Sequence, residues 1–537
     1  MKRILSTAAL ALSVLVILLS LVGCDNAGAN PPDLPSSDGY YWESGEILFQ
    51  LTDNSNSGVL GSGSRKYLAG LDGVDEIDLA VNARNDAAAS ETRISVKYDY
   101  LPNTVDYGWG RNIDRTLSLI SLNAAGTPDV FTTYLYDATV ISLKNAFANL
   151  YSTDYGRGEN YFSFTDPDYS SDGDLYDLQA GDGYLYEYMR SLSLADDKLY
   201  ALASNYTVDL FRSMAVIPVN LTHLSDVVGT DGTSLTLDSL YGTAFDGGLT
   251  FDVIAAMAEN FSANDTDNNV GSDSIGFLLV NDRRVASGAL LYSSGVSILE
   301  RTPDGQGGYT CSYPNENTAL ADVVAAVASL TNHPGVYSVD LNTLGTEIGA
   351  GYLRAMARCF ADGRALFGAI SMLGELEAEE YGELRASGSL AVVPVPTYSA
   401  TASAKGYVFE TGKVIGISKK TAVFEQCTAF LAYQSTGSHE VLNAYADSYM
   451  KADEGYGRRM LAYLRNTLTD GFDVCYDQII ACYYADKDPG FPCWSDILGK
   501  YNMCITDGFD VLYSQGIADR LADLEIMLDD WKTAENE

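Results

Sequence analysis

The sequence predicts an α/β protein built from two or more lobes. Runs with strand-like alternation are interspersed with stretches of helical periodicity through much of the chain. At 537 residues the chain is longer than one hydrophobic core organises. Beyond the first two dozen residues no apolar run reaches membrane length, and the apolar content is ordinary for a globular protein.

The chain starts with the basic pair Lys2-Arg3, followed by apolar or small residues from Ile4 to Val22 and then by Cys24. That pattern predicts a secretory signal peptide over residues 1–23. The run Leu21-Val22-Gly23-Cys24 resembles the bacterial lipoprotein cleavage site, which implies lipid on Cys24. A plain signal anchor with an incidental cysteine is the competing reading. Pro, Gly, Ser and Asn dominate residues 25–40, so 24–42 reads as the lipidated cysteine and a flexible tether.

Globular patterning begins near Glu43. Asp75 to Ser90 predicts a helix with Ile77 and Val81 inward, and Arg93 to Tyr100 alternates as a half-buried strand. Thr250 is expected to cap a helix that turns Ile254, Met257 and Phe261 inward. Leu320, Val323, Val324 and Val327 recur at helical spacing within Asn317–Leu330. Val414 to Ser418 predicts a strand leading into a helix from Thr421, and Ser438 a further cap. The Tyr-rich chain from about 440 onward reads as helical. It holds a near-repeat, Thr469-Asp470-Gly471-Phe472-Asp473-Val474 and Thr506-Asp507-Gly508-Phe509-Asp510-Val511.

Composition excludes more than it identifies. A net charge of −39 repels nucleic-acid phosphates and anionic lipid heads, so neither is an expected partner. Cys311, Cys359, Cys427, Cys475, Cys482, Cys493 and Cys504 are odd in number and lack C-x-x-C spacing, which disfavours a zinc or thioredoxin site. Disulfides within 475–504 and buried free thiols stay open as alternatives. Three scattered histidines, His223, His333 and His439, do not suggest a triad or a metal centre. No P-loop, G-x-S-x-G or H-E-x-x-H occurs. The carboxylates Glu375, Glu377, Glu379, Glu380 and Glu383 read as a solvated helix face. Asp265, Asp267, Asn269 and Asp273 are spaced like early calcium-loop ligands, but Val270 and Gly276 stand where the loop needs glycine and a bidentate glutamate. The positive signal is aromatic. Thirty-seven tyrosines and four tryptophans offer apolar faces with polar edges, which suits sugar stacking.

Several segments, in order over roughly 125–435, resemble the extracellular solute-binding lipoproteins of ABC importers, in the group similar to maltose-binding protein. They are Pro128-Asp129-Val130-Phe131, Asp197-Lys198-Leu199-Tyr200-Ala201-Leu202, Thr250-Phe251-Asp252, Phe360 to Gly368, Val392-Val393-Pro394-Val395-Pro396, and Ile415-Gly416-Ile417-Ser418-Lys419-Lys420. The resemblance implies a two-lobed periplasmic-binding-protein-like (type II) clamshell with a helical C-terminal extension. Chain crossings are expected near Ser204, Gly368 and Gly412. Lobe one would comprise 43–204 and 368–412, lobe two 205–367 and 413–465, and the extension 466–537.

The same resemblance places ligand contacts at strand ends and crossings. The implied set is Trp109, Tyr134, Tyr136, Asp137, Asn205, Tyr206, Tyr292, Ser293, Gly368, Ser371, Met372, Tyr407, Phe409 and Glu410. No tryptophan occupies the stretch around Gly368, where many relatives carry an aromatic stacker. The implied function is a non-enzymatic, lipid-anchored receptor on the outer face of the cell membrane. It would need no cofactor, capture a small solute such as an oligosaccharide, and pass it to membrane permease subunits. A surface glycoside hydrolase and a same-fold receptor for another solute or for signalling are the rival expectations.

Overall fold

A computed structural model describes residues 45–54, 63–71, 73–103, 111–151, 160–162, 183–193, 198–228, 232–262, 274–281, 283–297, 300–303, 309–312, 318–409, 411–450 and 455–468. Cys24 and the tether, Trp109, the 265–273 loop, Glu410, the cysteines from 475 onward, and the near-repeat with the extension beyond residue 468 lie outside the described residues.

The strands in chain order are β1 (Gly45–Asn54), β2 (Ile94–Asn103), β3 (Val130–Tyr134), β4 (Ala215–Asn220), β5 (Ile275–Val280), β6 (Glu300–Pro303), β7 (Tyr309–Ser312), β8 (Val336–Val339), β9 (Ala365–Phe367), β10 (Ser371–Met372), β11 (Leu390–Pro394) and β12 (Lys413–Ile417). β6 and β7 form a separate antiparallel hairpin. The others build two sheets.

In the first sheet β1 lies parallel to β2 on one side and β3 on the other, and β12 runs antiparallel beside β3. Leu202 then pairs with Ile415 through two backbone bonds of 2.8 and 3.0 Å. In the second sheet β5 lies parallel to β8 and β9, β4 runs antiparallel beside β9, and β11 pairs antiparallel with the far side of β4. β10 continues the line of β9 along β4. Both sheets therefore share one strand order: second, first, third, then an antiparallel strand, then a fourth parallel position.

The sequence explains why these segments become buried strands. Ile47, Phe49 and Leu51 of β1 are buried, and so are Gln50 and Thr52 on its other face. Every residue of β4 and of β5 is buried. Strands covered on both faces of a sheet have this composition. The helix Glu76–Thr92 covers the first sheet; Asp75 caps it by accepting the Asp78 amide at 2.7 Å, and Ile77 and Val81 turn inward. The helix Phe251–Ser262 covers the second sheet with Ile254 and Met257 buried, and Thr250 accepts the Val253 amide at 3.3 Å. Leu320, Val323, Val324 and Val327 are buried in the helix Thr318–Thr331.

Three expectations are corrected. β12 and the helices Phe424–Gly437 and His439–Tyr449 belong to lobe one, because β12 pairs with β3 and these helices pack on Glu76–Thr92. β10 and β11 belong to lobe two, because both pair with β4. The expected crossing at Gly368 is thus a turn within the second sheet, where its amide donates to the Pro218 carbonyl at 2.8 Å. Ser438 precedes a helix as expected but does not cap it through its side chain. Its hydroxyl donates to the Gln434 carbonyl and accepts from Arg84 instead.

The crossings are built as a pair. Segment 213–215 leaves lobe one beside segment 407–409, which returns to it. The two run antiparallel, with Ala215 N donating to Tyr407 O and Phe409 N donating to Ser213 O, both at 2.8 Å. After the helix His439–Tyr449 the chain crosses again, and the helix Tyr456–Asn466 packs on lobe two. There the Tyr463 hydroxyl donates to the Ala244 carbonyl at 3.1 Å and the Tyr456 hydroxyl to Asp238 at 2.6 Å.

Candidate functional site

Parallel α/β sheets place their sites beyond the carboxyl ends of their strands. In the first sheet those ends carry Asp53 on β1, Tyr100 on β2 and Tyr134 on β3. Lys413, the first residue of β12, lies opposite Tyr134 in the antiparallel register. Its ammonium sits 5.5 Å from the centre of the Tyr134 ring. Lys413 Nζ donates to Ser64 Oγ at 2.9 Å, Asp209 Oδ2 at 3.0 Å and Asp53 Oδ1 at 3.1 Å. An ammonium has three protons, and here each has an acceptor.

Asp209 and Arg212 lie on the short crossing helix Val208–Arg212, one turn apart, and bond at 2.6 Å. Arg212 then grips Glu377 with two nitrogens, at 2.6 and 2.9 Å, in the fork geometry that suits a carboxylate. Glu377 ends a short 3-10 turn of lobe two, Leu373–Glu377. The Tyr67 and Tyr445 hydroxyls of lobe one donate to its Oε1 at 3.2 and 3.1 Å. A continuous line of alternating charge thus runs Asp53–Lys413–Asp209–Arg212–Glu377 across the place where the lobes meet.

The electrostatics follow from burial and pairing together. Burial alone would raise the Asp209 carboxyl, but Lys413 and Arg212 outweigh it and hold the group down at about 2. Burial would lower the Lys413 ammonium, yet Asp209 and Asp53 hold it above its ordinary range. Burial pushes the Tyr134 phenol up, against the pull of Lys413. At the lip, Arg65 is exposed, its guanidinium lies 5.0 Å from the Tyr100 ring centre, and its backbone amide donates to Asp53 at 3.0 Å. Tyr100 is 41% exposed, a rarity among the large side chains here.

The residues implied by sequence fall into three groups. Tyr134 joins the charged line, and Met372 ends β10, its amide donating to Glu375 at 3.1 Å and its sulfur accepting from Thr411 at 3.3 Å. Tyr407 and Phe409 form the crossing pair, and Tyr407 stacks on Tyr292 with ring centres 5.6 Å apart and planes 13° from parallel. The remainder sit away from the lobe junction or are enclosed. Tyr206 lies in the core of lobe one under the Arg84 guanidinium and against Phe430. Asn205 is buried beside it, and Asp137 is buried in the helix Leu135–Leu143, which also contains Tyr136. Ser293 bonds the Pro396 carbonyl, and Ser371 the Ala369 carbonyl. Gly368 packs so closely on Pro218 and Phe360 that a Cβ would lie 2.7 and 2.8 Å from them.

Sequence reading missed Asp53, Ser64, Tyr67, Asp209, Arg212, Lys413 and Tyr445. Charged residues inside apolar runs were the available signal: Asp209 and Arg212 three apart in Val208-Asp209-Leu210-Phe211-Arg212, and Lys413 opening Val414-Ile415. The expected solvated glutamate face is corrected for Glu375 and Glu377, while Glu379 and Glu383 are exposed. Glu375 is buried and bonds Arg283 at 2.6 Å, and Glu377 holds Arg212, because the segment folds as two short 3-10 turns against lobe one and the crossing helix. Among the described residues no cluster of His, Cys, Asp and Glu is arranged to hold a metal ion. Among them also, no helix is long and apolar enough to cross a membrane.

No protein-family model and no curated protein sequence matches the chain. Solved structures do. One is the cyclic alpha-maltosyl-1,6-maltose binding protein from Arthrobacter globiformis, similar at a TM-score of 0.50 and 12% identity over 89% of this chain and 100% of that one. Another is the galacto-N-biose-/lacto-N-biose I-binding protein of the ABC transporter from Bifidobacterium longum, at a TM-score of 0.47 and 10% identity over 90% of this chain and 98% of that one. At 12% identity the Arthrobacter likeness speaks to the fold: an α/β, periplasmic-binding-protein-like (type II) architecture with two sheets.

Proposed function

We propose that the chain is a solute-binding receptor of the extracellular solute-binding family, and that it captures a neutral carbohydrate, an oligosaccharide in particular, between its lobes for an ABC permease. The observation that carries this reading is the charged line at the lobe junction. Lys413 and Arg212, the buried cations at the junction, are already paired with Asp53, Asp209 and Glu377, and the exposed Arg65 at the lip lies over the Tyr100 ring. An anionic ligand would want unpaired Arg or Lys. A polyhydroxylated neutral ligand wants flat aromatic faces and hydroxyl edges, which Tyr100 and Tyr134 offer on the strand ends. The sugar ligand in the name of the structurally similar Arthrobacter protein favours the same class.

Binding without turnover is favoured over glycoside hydrolysis. A hydrolase needs one carboxyl raised so that it stays protonated as general acid. Asp209 is held in the opposite direction. We further propose lipid on Cys24, with the 24–42 tether keeping the receptor near its permease on the outer membrane face.

A thermal-shift screen of the purified protein against oligosaccharides, amino acids, peptides and sugar phosphates tests the reading. A ligand at a hundred times its Kd stabilises by about 2.7 kcal/mol. A neutral oligosaccharide should raise Tm, and the sugar should be recovered unhydrolysed. A shift with peptides or phosphates and none with any carbohydrate would overturn the proposal.

A further inference from the structure

We propose that Glu377 is a positioning residue that sets how closely the two lobes sit, and through that spacing sets ligand affinity without touching ligand. The argument starts at the pivot. Arg212 immediately precedes the antiparallel pair 213–215 and 407–409, through which the chain passes between lobes. Toward lobe one it is anchored by Asp209, itself bonded to Ser64 Oγ at 2.9 Å and to Lys413. Toward lobe two it grips Glu377. The Tyr67 and Tyr445 hydroxyls reach its Oε1 from lobe one, so a movement that parts the lobes there has to break these two bonds.

The Glu377 end of this contact is built to be stiff. Glu375, two residues earlier, is tied to Arg283 at 2.6 Å and to the Met372 amide at 3.1 Å, and Arg283 also donates to the Ile370 carbonyl at 3.0 Å. A second contact lies beside it: Arg385 donates to the Ala378 carbonyl at 2.9 Å while its guanidinium stands 5.5 Å from the ring centre of Tyr449 in lobe one. Two hydroxyls on one charged carboxylate oxygen form stronger bonds than neutral pairs do. Loss of them shifts population toward the parted arrangement, and apparent affinity falls with the competent fraction.

The test compares the wild type with Tyr67→Phe/Tyr445→Phe, which keeps the Arg212–Glu377 pair, and with Glu377→Gln. Spin labels at positions 86 and 322, where Asp86 and Asp322 are exposed on the helices Glu76–Thr92 and Thr318–Thr331, report the spacing in ligand-free protein. The double variant should melt as a folded protein, show a longer and broader distance distribution, and bind any stabilising solute about tenfold more weakly. A wild-type distribution in the double variant would overturn the proposal. Its affinity arm rests on the binding reading, and the outcomes separate the two. A shifted distribution with no solute bound sinks the receptor reading and keeps the positioning role. A bound sugar with an unchanged distribution does the reverse.

Discussion

Replacing Lys413 with methionine keeps the stem and removes the charge. The Lys413 side chain is 6% exposed, with Asp209 at 9% and Asp53 at 15%. The substitution therefore leaves two carboxylates facing each other in a site that water hardly reaches. Removing one partner of a buried pair costs about 3–5 kcal/mol. Asp209 keeps Arg212 at 2.6 Å, so the lower end applies, about 3 kcal/mol. For a lobe of roughly 150–250 residues that is about 6–12 °C in Tm. Calorimetry at pH 7 measures it. Acid supplies a second reading. The folded Asp209 carboxyl is held at about 2, below the ordinary range of an aspartate. A depressed carboxyl stabilises fully above the unfolded value and loses that stability as pH falls through the folded one. The wild type should thus shed about 2 kcal/mol between pH 4 and 2 on this account. In Lys413→Met the carboxyl rises and this acid limb flattens. Adding Asp209→Asn to Lys413→Met should restore part of the loss. A variant within 1 kcal/mol of wild type, with an unchanged acid limb, would refute the reasoning.

Other consequences are open to the same kind of measurement. Gly276→Ala should destabilise lobe two by about 2 kcal/mol or more, because the new Cβ would lie 2.1 Å from the Ala258 carbonyl oxygen, and backbone cannot yield as a side chain can; chemical denaturation reads this out, and a neutral result would mean that helix and strand are looser than drawn. Tyr407→Ala removes the ring stacked on Tyr292 and should cost about 3–5 kcal/mol, detectable as a lower Tm. Burial pushes the Cys359 thiol up to about 12 and the Cys427 thiol well above its usual value. Both should resist alkylation at pH 8 until the protein opens, followed peptide by peptide in a mass spectrometer; modification at the rate of an exposed thiol would contradict their burial.

Periodicity carried the elements. Ile77 and Val81, Ile254 and Met257, and Leu320 to Val327 announced buried helix faces because burial on one side of a helix leaves a 3.6-residue imprint. Lobe membership left no such imprint. Leu390–Pro394 and Lys413–Ile417 are both short, apolar strands, and only their partners, β4 and β3, separate them. The candidate site was equally hard to read. Tyr134 and Met372 sit at strand ends that a resemblance could locate. The charged line draws residues from positions 53, 209, 212, 377 and 413, and no local pattern reports pairing over such separations. The glutamates near 377 showed the opposite failure, since a dense acidic run looks solvated until its arginines, Arg212 and Arg283, arrive from elsewhere.

The paired crossing at 213–215 and 407–409 has a consequence for how the protein forms. The second sheet is made from one unbroken stretch, β4 through β11. The first sheet waits for β12, which is synthesised after all of it, and until then β3 presents an edge to which β12 must later add. A chain delivered from its N-terminus would complete the second sheet before the first. The slow step should be the long-range docking of β12, so that destabilising Val414 or Ile415 retards refolding of lobe one while lobe two forms at its usual rate.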